Sequence, residues 1–149
     1  MNKIPQITIY ARKAGVSISP HERRSEGRAT EGRIVLRFFR LESGSTAIRF
    51  IAEPAEAFAL YSKMHKIVRD GGRESLNHSF TGPDGEVQTR LTVERWARND
   101  KSGYAISVQR GEEQINVPVQ AEQFLYAAEF LRHLSLQQAW VEEVEWAAE

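Results

Sequence analysis

Twice in this chain a strand-like stretch runs straight into a helix that opens Ala-Glu-x-Phe. The first case is Ala47-Ile48-Arg49-Phe50-Ile51-Ala52 followed by Ala55-Glu56-Ala57-Phe58. The second is Gln114-Ile115-Asn116-Val117-Pro118-Val119 followed by Ala121-Glu122-Gln123-Phe124. Each follows a candidate hairpin, so the order strand, strand, helix is written twice. Alternating strands expose one apolar face each, and an amphipathic helix is what covers such a face. Two such units pairing into one antiparallel sheet, with helices on one side, make an α+β architecture. A chain of 149 residues has the size of one domain, 1–149.

The elements follow in order. Ile4–Tyr10 alternates and is a candidate strand, continued by Val16–Ser19. Pro20–Gly32 carries Pro, Gly, Ser, Thr and the run His21-Glu22-Arg23-Arg24, which is loop chemistry. Arg33–Leu41 is rich in β-branched and aromatic residues, and Glu42-Ser43-Gly44-Ser45 turns it into the strand Thr46–Ala52. Pro54 suits the first turn of a helix over Ala55–Arg69, which Gly71-Gly72 ends. After the turn Gly82-Pro83-Asp84-Gly85 come strands Val87–Arg98, Tyr104–Arg110 and Gln114–Val119. A helix from Ala121 then meets no Gly or Pro and is expected to run to about residue 147.

Period-two alternation sorts the strand residues onto two faces. Ile34, Leu36, Phe38, Ile48, Phe50, Leu91, Val93, Ile106, Val108, Ile115 and Val117 make one uniformly apolar. The opposite face mixes arginine with large rings: Arg37, Phe39, Arg49, Arg90, Trp96 and Arg98. Unpaired bases need this combination, rings to stack on and guanidinium groups for phosphate. The alternative is that Phe39 and Trp96 are covered by the N-terminal strand, the 20–32 loop or a partner protein. The same face would then serve a protein–protein interaction module.

Charge is distributed unevenly, although the total is zero. Residues 1–50 hold ten Lys/Arg against four Asp/Glu, while residues 101–149 hold three against eight. That points to a region facing a polyanion and an acidic, solvated end. Fifteen of the twenty basic residues are arginine, the cation suited to forking onto phosphate. With no cysteine, disulfides and Cys-based zinc sites are excluded. The four histidines, His21, His65, His78 and His133, lack ligand spacing, and no Gly-rich phosphate loop is present. No cofactor, metal, catalytic residue or small-molecule substrate is therefore expected. No run is apolar enough for a membrane span, and the expected compartment is the cytoplasm, at the nucleoid.

Tyr104–Arg110 and the following Gln114–Leu134, QINVPVQAEQFLYAAEFLRHL, resemble the strand-strand-helix end of the Whirly, Pur and positive-cofactor-four type of nucleic-acid binder. The whole chain also resembles the ThermoDBP type of archaeal single-stranded-DNA-binding protein in its order of elements. The resemblance implies a basic, hydrophobic cleft for unpaired DNA, formed by the arginine and aromatic face named above, and a C-terminal helix that pairs two copies.

The sequence reading is thus a non-enzymatic, non-sequence-specific single-stranded DNA-binding protein, with RNA binding or transcription regulation as the alternative. Leu131, Leu134, Gln138 and Val141 continue a 3-4 seam along the last helix and are the expected contacts of a homodimer.

Overall fold

A computed structural model describes residues 2–42 and 44–143. It contains β1 (Ile7–Tyr10), β2 (Ala14–Ser25), β3 (Arg28–Arg40), β4 (Ile48–Ala52) and α1 (Pro54–Asp70). Then follow β5 (Gly72–Gly82), β6 (Gly85–Arg98), β7 (Lys101–Arg110), β8 (Glu113–Val119) and α2 (Ala121–Gln137). The class is α+β, and every strand pairing between these elements is antiparallel. The strands form two sheets, β1-β2-β3-β4 and β5-β6-β7-β8, in place of the single sheet expected. The repeat is accordingly four strands and a helix, twice.

Two elements explain the difference. Pro20–Gly32 is not a loop but the outer half of the β2–β3 hairpin, turned at Glu26 and Gly27 with φ of 53° and 79°. Positive φ at both central residues gives the tight turn whose twist matches the flanking strands, and a glutamate there sends no sequence signal. The strand β5 is half polar because it is a sheet edge, where only Leu76 and its neighbours on one side meet the core.

The apolar faces of both sheets and the two helices share one core. Val16, Ile18, Leu36 and Phe50 come from the first sheet, Leu91, Val93, Ile106 and Val117 from the second. The helices supply Leu60, Met64 and Ile67, and Phe124, Leu131 and Leu134. Each such fully buried side chain contributes about 1.5–3 kcal/mol. With the inner faces filled in this way, every arginine and aromatic of the opposite pattern is turned outward.

α1 ends where expected, at Gly71, with φ of +74°. α2 does not reach residue 147. It stops at Gln137, and the remainder of the expected helix, residues 144–149, lies outside the described residues. Tertiary hydrogen bonds end it: the Gln138 amide nitrogen donates to the carbonyls of His21, at 2.6 Å, and Arg33, at 3.1 Å. The chain then lies along the hairpin as an extended strap. Gly32 N donates to Trp140 O and Glu142 N to Thr30 O, while Val141 bridges to Glu31. The four residues expected as contacts between two copies all have partners within the chain. Leu131 and Leu134 are buried in the chain's own core, Gln138 caps the helix and clamps the hairpin, and Val141 belongs to the strap.

Candidate nucleic-acid interface

The six residues singled out from alternation all face outward but are divided between two surfaces. Arg37, Phe39 and Arg49 lie on the first sheet, Arg90, Trp96 and Arg98 on the second. Arg37, Arg49, Arg90 and Arg98 are exposed, and the two rings are half-buried.

Both rings are held by the same device. Phe39 stands opposite Gly15 of β2, and its ring lies over that glycine: a Cβ there would come within 2.5 Å of Phe39 Cζ. Trp96 stands opposite Gly103 of β7, where a Cβ would come within 2.6 Å of Trp96 Cζ2. A missing side chain on the neighbouring strand thus makes the bed for each ring, which covers part of its apolar area and fixes its position. The N-terminal strand does reach Phe39, but from the side. Tyr10 meets it edge-on at 5.9 Å between centroids, and the Arg37 guanidinium sits 5.3 Å from the same ring.

Around Phe39 the surface is basic. Arg37 and Arg49 are direct cross-strand partners, and His21 faces Arg33 on the same side. The His21 pKa is held below its ordinary value, first by burial and then by the Arg49 charge. Around Trp96 the surface is mixed. A hollow of about 520 Å³ adjoins the indole, with Glu94, Arg98, Lys101, Ala105, Asn116 and Pro118 in its lining.

The two surfaces are joined at the β8 edge. A second hollow, about 620 Å³, is lined by Arg12, Lys13 and Arg40 from the first sheet's end, with Glu42, and by Gln114 and Asn116 from β8. The Arg40 guanidinium donates to the Gln114 carbonyl across this junction. Asn116 belongs to both hollows. Sequence reasoning passed over Arg12, Lys13, Arg40 and Asn116. The adjacent basic pair Arg12-Lys13 in the turn between β1 and β2 was the available signal. Asn116 alternates with the apolar Ile115 and Val117, which puts it on the outward face but carries no cue that two sheets meet there.

Among the described residues no helix is long and apolar enough to cross a membrane. Two histidines have structural partners. His65 bonds Glu129 at 2.8 Å and links the helices, and His78 stacks on Phe50 while meeting Glu56 at 2.8 Å.

No family model and no curated protein matches the chain. Solved structures do. The plant transcriptional regulator PBF-2 superposes with a TM-score of 0.67 at 18% identity, over 93% of this chain and 84% of its own. WHY1 from Arabidopsis thaliana superposes with a TM-score of 0.63 at 19% identity, over 93% and 92%. The fold is the Whirly fold. That bears out the Whirly half of the resemblance seen in Tyr104–Leu134, at the level of fold, while the ThermoDBP likeness draws no support from these matches. In this Whirly fold the arginines and rings stand on the outer faces of both sheets, with the β8 edge between them.

Proposed function

We propose that the chain binds single-stranded DNA across the outer faces of its two sheets, with arginines on phosphates and bases stacked on Phe39 and Trp96. One observation carries this reading: Arg37 and Arg49 stand directly opposite each other, and no ion pair among the described residues includes either. Like charges so placed destabilise a sheet, and a bound polyanion removes the repulsion. The half-exposed rings favour unpaired bases over a duplex, whose bases are already stacked. Likeness of fold to a plant transcriptional regulator supports a role in regulating transcription. Phosphate and stacking contacts are largely blind to sequence.

Titration of tryptophan emission with oligo(dT), an RNA of the same length and a matched duplex tests the proposal. Oligo(dT) should quench the emission and bind well ahead of duplex, with log K falling by about 0.7 per neutralised phosphate against log salt. RNA binding ahead of oligo(dT) would move the function to RNA. Equal or tighter duplex binding would reject the single-strand reading, and a flat salt dependence would favour a protein partner for the same face.

A further inference from the structure

The two ring platforms differ at one corresponding position. Two residues before Phe39 on the same outward face stands Arg37, and two residues before Trp96 stands Glu94. A carboxylate on a path for a polyanion repels the phosphates, so it is expected to be neutralised by a neighbour. Glu94 is half-buried, yet no hydrogen bond or ion pair among the described residues engages its carboxylate, although Arg73 lies across from it on β5. Glu94 lines a hollow together with Trp96 and Asn116.

That hollow has the features of a base site. Its volume of about 520 Å³ falls within the ~300–1,000 Å³ usual for small-molecule sites. Ala105 contributes to its floor, outward-facing yet only 2% exposed, so a flat group has a smooth surface to lie against. Arg98 and Lys101, direct partners at the end of the β6–β7 hairpin, supply positive charge at one end for the phosphate of the same nucleotide.

We infer that this hollow is a nucleobase subsite selective for guanine, with Glu94 accepting from the guanine N1–H and N2 amino group. The inference rests on the single-strand-binding reading above. An ionised carboxylate is acceptor-only, and its two oxygens match two donors side by side. Guanine alone among the DNA bases presents such a pair on its Watson–Crick edge. Thymine offers one N–H between two carbonyl oxygens that the carboxylate repels. Adenine and cytosine each offer an amino group beside a bare ring nitrogen. Asn116, with an amide donor, is placed to meet the guanine O6.

The test uses the full chain and a dT oligonucleotide of about fifteen residues whose central base is dT, dG, dA, dC or deoxyinosine, which lacks the N2 amino group. The dG form should bind roughly tenfold more tightly than the all-dT form, as one good bidentate base contact allows. Deoxyinosine should lose most of that gain. Glu94→Gln should abolish the dG preference while leaving all-dT affinity unchanged or higher, and an unchanged melting curve will confirm that the variant folds. Equal affinity for dG and dT, or a dG preference that survives in Glu94→Gln, would overturn the guanine site alone. Failure of every oligonucleotide to bind would overturn the single-strand reading together with it.

Discussion

The outer faces of the two sheets are built on one plan and charged differently. Each carries a ring laid over a glycine of the adjoining strand, and each is backed by an apolar face in the shared core. Around Phe39 the neighbours are Tyr10 and Arg37, with Arg49 across from Arg37, and His21 lies farther along the same face opposite Arg33. Around Trp96 they are Glu94, Asn116, Arg98 and Lys101. The plan sets where a ring stands, and the residue two positions away decides what the surface accepts. On the proposed function, the first sheet would hold a strand by its backbone and the second by a base.

Removing the rings tests the comparison most strongly. Trp96→Ala and Phe39→Ala should each weaken oligonucleotide binding by about 1–3 kcal/mol, the usual worth of one stacked base. On a long oligonucleotide both losses should appear if one strand crosses both sheets. On a short one only one variant should matter, and a titration series in oligonucleotide length reads this out.

A second contrast concerns the long hairpins. The β2–β3 hairpin is braced by the strap after α2, and its Gly32 has no room for a side chain: a Cβ would lie 1.9 Å from the Gln138 carbonyl oxygen. In the β5–β6 hairpin a Cβ on Gly82 would meet nothing nearer than 3.6 Å. Thermal melts should therefore show Gly32→Ala destabilising by about 1–3 kcal/mol, and Gly82→Ala changing little. Equal melting points would mean that the strap contributes no stability.

The arginines come next. Arg37→Ala and Arg98→Ala should each lower the slope of log K against log salt by up to about one unit, uniformly across sequences. A change confined to one oligonucleotide sequence, in either variant, would mark base readout instead.

The smallest effect is expected from His21. Its pKa in the folded chain is depressed, so the unfolded chain takes up the proton first as pH falls. Stability present above the ordinary histidine value declines below it. A phosphate bound near Arg49 would raise the His21 pKa again, so binding takes up a proton and affinity should rise at acid pH. A gain of about two- to threefold is expected between roughly pH 7.5 and 5.5, absent in His21→Gln. No gain would place the phosphate path away from this end of the first sheet.

Alternation alone divided Arg37, Phe39, Arg49, Arg90, Trp96 and Arg98 from the apolar residues, because period-two geometry is local and the core tolerates no arginine. The Ala-Glu-x-Phe helix starts and the glycine stop of α1 were equally legible, since capping and backbone freedom belong to a few adjacent residues. Three features belonged to tertiary structure. The strand β5 is polar because it is an edge, and an edge is defined only by what fails to pair beside it. α2 ends at Gln137 with no breaker in the sequence, because the Gln138 amide is captured by carbonyls more than a hundred positions away. The division of one expected face into two, with Asn116 at the junction, came from the strands pairing as two separate sheets, which depends on contacts across the whole chain. Local periodicity determined which side of each strand faces water, and long-range packing decided which of those sides stand together.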